Sequence, residues 1–441
     1  MSNLDRLAAL VEAARRAGAD AADALLIESQ SLSVQRRLGQ TEHLERAEST
    51  DIGLRVFLGA RSAVVSSNAT DVAGFAALAE RAVAMARVVP EDPFAAIPEA
   101  RPLPAVALDL VDPTEPTAEQ LIARASIAEE AALAVPGVTN SEGAEAGWSR
   151  NRIALVTSRG FAGEYARTGH SVSASALAGT GTGMERDYDY SSAVHLEDLE
   201  DAALIGRRAG EQAVRRLNPR RASTARIPVV YDPRVAGSLL GHLSAALNGA
   251  AVARGTSFLK DSMGKQVLAR GLRVTDDATR RRGLRSRPFD GEGTPTAPLA
   301  LVEDGVLRSW VLDGRSARQL GLASTGHASR GTSGPPGPAT TNLWLAPGHV
   351  TPRELMEDIA EGLYVTEMIG MGVNPITGDY SRGAAGFMIR HGELAEPVSE
   401  ITIAGKLPEM FLHITPACDL MFKRGTDAPT LRVDGMTLAG R

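Results

Sequence analysis

His242 stands in the stretch LLGHLSAALNG, residues 239–249, where an imidazole on a helix poses a chemical choice between metal ligand, proton carrier and core residue. A hydrolytic zinc site needs three protein ligands, an open position for water and normally a carboxylate to take the proton of that water. The residues that follow are Leu243, Ser244, Ala245, Ala246 and Leu247, none of which ligates zinc or acts as a base at neutral pH. On a helical wheel Leu240, Leu243 and Leu247 form one stripe, and His242 lies at the edge of a broader arc holding Val235, Leu239 and Ala246. A packed or hydrogen-bonded histidine on a mostly buried helix is therefore expected.

Other segments raise chemistry of their own. The glycine-rich AGTGTGM (178–184) has no following lysine with serine or threonine and no strand-to-helix context, so it reads as a hairpin and not a phosphate cradle. In MERDYDY, Glu185, Asp187 and Asp189 lack the fixed glycine and terminal glutamate of a calcium loop and are expected to be solvated in a turn. The basic runs RRLNPRRASTAR and RRRGLRSRP suggest nucleic acid, yet the whole chain is acidic and only 4% aromatic, and no reader fold is recognisable. GMGVNPITGDYSRGAAG (370–386) is different. It is dense in glycine, with Asn374, Asp379, Tyr380, Ser381 and Arg382 at its centre, and long loops of that kind are disproportionately functional. A plain hairpin system whose glycines supply positive φ is the competing reading. In RPFDGEGTPT, Phe289 is a candidate apolar anchor over a partner or substrate groove, with Asp290 or Glu292 holding the turn.

These residues need elements to position them. With 441 residues, 44% apolar content and a formal charge of −6, the chain is long enough for two domains with substantial cores. One cysteine, Cys418, excludes an internal disulfide and suits a reducing compartment. No stretch reaches the length of a membrane span, and the opening MSNLDRLAALVEAARRAGAD reads as a folded amphipathic helix, not a signal peptide; a cytoplasmic protein is expected. The first half repeats one pattern. A helix at 4–16, alternating segments ALLIES, LSVQRRL, IGLRVFLG and RSAVVSS, and a closing helix in DVAGFAALAERAVAMARVV are followed by helix 117–134, three more strands and a second closing helix near 195–217. A proline-rich strap joins the two units. Beyond NPRRASTARIP the texture changes to one helix, with Asp232 as N-cap and Pro233 at its first position, then short strands with hairpin turns at Asp304-Gly305 and His391-Gly392. The fold class is α+β: a duplicated helix/antiparallel-sheet N-terminal domain over 1–222, then a β-rich C-terminal domain over 223–441.

Four stretches, GHLSAALNGAAVARGTSFLKDSMGKQVL, RSRPFDGEGTPTAPLALVEDGVL, ATTNLWLAPG and TEMIGMGVNPITGDYSRGAAGFMIRHGELAEPVSEITIAGKLPEMF, together resemble the TldD/PmbA family, long labelled modulators of DNA gyrase. The resemblance covers most of the chain from about residue 226. It implies two branches: TldD, a zinc protease whose helix carries His-Glu-x-x-x-His with a distant cysteine, and PmbA or TldE, which lacks that motif and pairs with the first. Here His242 matches the first histidine, but Leu243 stands at the glutamate and Leu247 at the second histidine, and Cys418 in PACDL does not match the third ligand. The resemblance therefore implies a non-catalytic PmbA/TldE-like subunit with no metal or cofactor of its own. Zinc would sit in a TldD-like partner, and the pair would bind unfolded peptides for proteolysis. Asn374, Asp379, Tyr380, Ser381, Arg382, Phe289 and Asp290 are the candidates for the peptide or partner cleft. A stand-alone peptidase or hydrolase remains open, as does a regulator of DNA gyrase or nucleic acid; the chain alone is also compatible with a homodimer.

Overall fold

Ser2 and Thr117 each accept a hydrogen bond from the backbone three residues on, while Asp5 and Gln120 return the bond, so two capping boxes start the two units of the first half. In the computed structural model, which describes residues 1–440, the first unit is α1 (Asn3–Arg16), β1 (Ala21–Arg37), β2 (Gln40–Leu58), β3 (Arg61–Ser67) and α2 (Phe75–Val88). The second repeats that order with α3 (Ala118–Leu133), β4 (Val138–Thr157), β5 (Ala162–Ala178), β6 (Glu185–Ala193) and α4 (Ala202–Arg215). Antiparallel pairing of β1 with β4 joins them into one six-stranded sheet, ordered β3-β2-β1-β4-β5-β6.

All four helices cover one face of that sheet. Leu26, Leu54 and Val56 pack under α1 and α2, whereas Leu32, Ala146, Trp148 and Val172 pack under α3 and α4. The α3–α4 contact is close enough that a Cβ on Gly206 would lie 1.9 Å from the Ala128 carbonyl oxygen, so only glycine fits there. ALLIES and LSVQRRL, read as separate strands, belong to the single 17-residue β1, and β2 begins well before IGLRVFLG. MERDYDY also departs from expectation: it lies in β6, where Asp187 and Asp189 are buried and Asp187 is 2.7 Å from Arg234. The tip 179–184 is the hairpin between β5 and β6.

After β7 (Ala225–Tyr231) and α5 (Pro233–Leu247), the second half is mainly β. Short strands at 274–277, 298–303, 306–307, 343–345 and 426–427 form a five-stranded sheet. The longer strands β8 (Glu361–Ile369), β9 (Asp379–Arg390), β10 (Glu393–Lys406) and β11 (Leu431–Ala439) join β7 in a closed ring. β8 runs parallel to β7 and the other pairings are antiparallel, with 402–404 of β10 meeting 437–439 of β11. Closure removes free edges along that seam. Asp304-Gly305 and His391-Gly392 have both central residues at positive φ, as two-residue hairpin turns require. No helix among the described residues is long and apolar enough to cross a membrane.

Candidate functional site

The Asp232 carboxylate accepts from the Arg234 N–H at 2.9 Å and Pro233 opens the helix, so the start of α5 follows from two adjacent residues. The helix buries Leu239, Leu240, Leu243 and Leu247 in the largest core, between the ring and the five-stranded sheet. Leu243 is 1% exposed and Leu247 0%. His242 instead meets Tyr380 of β9 edge-on, with ring centroids 5.9 Å apart and planes at 76°. Its Nε2 is buried without a hydrogen-bond partner, so the histidine is packed and not hydrogen-bonded at that atom.

Tyr231, which ends β7, completes the cluster; its hydroxyl lies 3.5 Å from that of Tyr380 and 3.3 Å from the Met436 sulfur. Sequence reasoning overlooked it, although the alternation in ARIPVVY just before the Asp232 cap points Tyr231 inward. Burial raises both phenols, Tyr231 well above the ordinary range and Tyr380 to about 12. Burial and then the Arg382 charge lower His242 below its ordinary value. Arg382 is itself 8% exposed, with Nε donating to the Ile369 carbonyl at 3.4 Å.

The family's zinc does not fit this donor set. A cation at His242 would have one imidazole nitrogen, two core leucines and a neighbouring guanidinium for company. Among the described residues no three His, Cys, Asp or Glu side chains are grouped to hold a metal, and Cys418 is exposed.

The 370–386 segment divides by strand alternation. Tyr380 and Arg382 turn inward to His242, whereas Asp379 and Ser381 face outward. Asn374 shapes the loop by accepting from the N–H groups of Ile376 and Thr377, and Thr377 donates to Asp379 at 2.5 Å. Around it Ile369, Met371 and Ile376 are exposed, Met371 by 87%.

Phe289 and Asp290 belong elsewhere. Phe289 is buried against Phe161 and Tyr165 where the six-stranded sheet meets the second half, and it anchors that contact. The buried Asp290 carboxylate accepts from the N–H groups of Glu292, Thr294 and Ala328, which makes it a turn-holding residue. The basic runs are neutralised only in part within the chain: Arg281 and Arg282 pair with Asp109, Arg282 also with Glu197 and Asp198, and Arg221 with Glu400.

Models of the PmbA/TldA metallopeptidase match the chain in three consecutive parts: domain 1 at residues 22–86, the central domain at 111–217 and the C-terminal domain at 224–440. The chain is 35% identical to metalloprotease PmbA of Escherichia coli O157:H7 over 96% of its own length and 93% of that protein. It is 31% identical to the metalloprotease PmbA homologue of Haemophilus influenzae, covering 98% and 94%. Among solved structures, a modulator of DNA gyrase from Bacteroides thetaiotaomicron superposes with a TM-score of 0.91 at 25% identity, over 100% of this chain and 99% of the other. TldE from Thermococcus kodakarensis shares the fold with a TM-score of 0.88 at 19% identity, over 99% and 100%.

Proposed function

The chain belongs to the PmbA/TldD family of metallopeptidases, and from that premise we propose that it is a metal-free, peptide-binding subunit of the PmbA/TldE kind. It works beside a homologous chain that carries zinc. The observation that carries this reading is the use made of α5: the two positions where the catalytic branch has its glutamate and second histidine are leucines sealed in the core. An imidazole without a second ligand or a neighbouring base cannot activate water. The exposed apolar tip at Ile369, Met371 and Ile376 supports contact with a partner, since clustered apolar exposure marks interaction sites. A second reading, a peptidase that acts alone, draws on the relatives, which are named metalloproteases.

Metal analysis and peptidase assays on the purified chain separate the two. The expected result is no stoichiometric zinc and no turnover alone, with activity in a one-to-one complex on adding a His-Glu-x-x-x-His homologue. His242→Ala should leave the metal content of that complex unchanged. One zinc per isolated chain, lost with peptidase activity in His242→Ala, would establish the stand-alone peptidase instead.

A further inference from the structure

The face of the six-stranded sheet opposite the helices is built differently from the helix-covered one. Cross-strand pairing aligns Ile153 with Tyr165, Asn151 with Arg167, Ser149 with Gly169 and Gly147 with Ser171, all on that face. A cavity of about 510 Å³ runs along these rows, with Leu284 of the second half at its rim. Gly147 and Gly169 leave its floor bare; a Cβ on either would stand 2.9 Å from the Ser171 hydroxyl or 3.2 Å from that of Ser149. The volume lies within the range of small-ligand pockets.

Arg167 lines this cavity, and no carboxylate does. Arg167 points one guanidinium nitrogen at the Leu284 carbonyl, which fixes its direction. Arg285 and Arg287 lie outside the cavity's lining but within electrostatic reach of Arg167, and none of the three forms an ion pair among the described residues, although Arg281 and Arg282 close by in sequence do. Two nitrogens of Arg287 are buried with no hydrogen-bond partner. Beside Arg167, the Asn151 amide accepts from Ser29 at 2.8 Å through its oxygen, and its N–H donors have no partner among the described residues. Arg167 and Arg287 are half-buried and Arg285 is exposed; like charges gathered without a counter-ion are unfavourable, and a carboxylate between Arg167 and Asn151 would relieve them with charge-assisted hydrogen bonds.

We propose that this cavity binds the C-terminal carboxylate of a peptide on Arg167 and Asn151, with the terminal side chain against Ile153 and Tyr165. The assignment rests on the peptide-binding reading above, which supplies the ligand class. The apolar wall beside the cation suits a chain end, and the serine hydroxyls offer partners to the peptide groups before it.

Fluorescence anisotropy with a labelled hexapeptide ending in leucine tests this on the full chain. Three forms serve: the free acid, its C-terminal amide, and an amide carrying an internal aspartate. The free acid should bind about tenfold tighter than the amide, the loss expected for one charge-assisted bond. Arg167→Gln should erase that preference, and Arg167→Lys, which keeps the charge, should retain part of it; melting curves confirm that both fold. Equal binding of acid and amide by the wild-type chain would overturn the proposal while leaving peptide binding intact. So would a preference that survives in folded Arg167→Gln. An aspartate-bearing amide that matches the free acid would overturn the assignment to the chain end. No binding of any of the three would overturn both readings, and a single-stranded oligonucleotide that needs Arg167 and displaces the peptide would assign the cavity to nucleic acid.

Discussion

His242 stays neutral because burial strips water from its ring and Arg382 lies close enough to oppose a second positive charge. The same pair makes a metal ion unwelcome, so the electrostatics of this site follow from two side chains on different elements. An NMR titration of the His242 ring should give a midpoint below its ordinary value of 6.5, and Arg382→Gln should move it upward. The folded chain holds this proton less tightly than the unfolded chain. The stability contributed by the neutral ring is therefore complete above pH 6.5 and declines as pH falls through the lower folded value. A midpoint at or above 6.5, or one indifferent to Arg382→Gln, would remove the basis for this account. His242 itself was legible in the sequence as a lone imidazole, but its partners were not, because Tyr231 and Tyr380 meet across the ring and stand 149 positions apart in the chain.

At the scale of elements, α5 is the piece on which the site depends. Its first turn hangs on Asp232, whose carboxylate accepts the Arg234 N–H and also the Tyr364 hydroxyl at 2.9 Å. Asp232→Ala removes both, and urea unfolding should show a loss of about 1–2 kcal/mol, whereas Asp232→Asn should lose less because the amide oxygen still caps the helix. Equal stability of the alanine variant would mean that the ring and the small sheet alone hold α5. Helix starts and hairpin turns could be read in advance, since each depends on neighbours in the chain. The length of β1 could not. Its middle, Glu28-Ser29-Gln30, is polar because it crosses the gap between the two helix pairs, and so it resembles a break in the strand.

Across the whole molecule, a buried charge network joins the six-stranded sheet to the second half. Asp23 of β1 contacts Arg55 of β2 and, at 2.6 Å, Arg330; Arg55 also reaches Glu292 at 3.6 Å. The strap follows the same junction: Arg315 pairs with Asp92, and Arg318 donates to the carbonyls of Phe94 and Ala96. Burial pushes Glu292 up to about 7, against the pull of Arg55 and with further upward pressure from Asp290 and Asp313. For a carboxyl raised in this way, stability is present below the unfolded value of 4.5 and is lost as pH rises through about 7. Glu292→Gln keeps an acceptor for the Gly314 N–H without the titration. Thermal melts from pH 5 to 8 should therefore show wild type losing stability relative to this variant, by on the order of 3 kcal/mol. Parallel curves for the two proteins would show that Glu292 is already ionised at the junction.

The sequence by itself determined the α+β class, the repeated helix–sheet–helix unit, the start of α5, the two hairpin turns and the hydrocarbon at positions 243 and 247. All of these rest on local periodicity, capping and turn chemistry, which act over a few residues. Only the tertiary structure decided that Tyr380 and Arg382 turn inward while Asp379 and Ser381 turn outward, since that depends on which face of β9 meets α5. It likewise decided that Phe289 and Asp290 seal a junction, that Asp187 is buried beneath arginines, and that Arg167 stands over a cavity without a carboxylate. Burial and charge pairing are properties of surfaces brought together from distant parts of the chain. Neither leaves a mark in the spacing of residues along it.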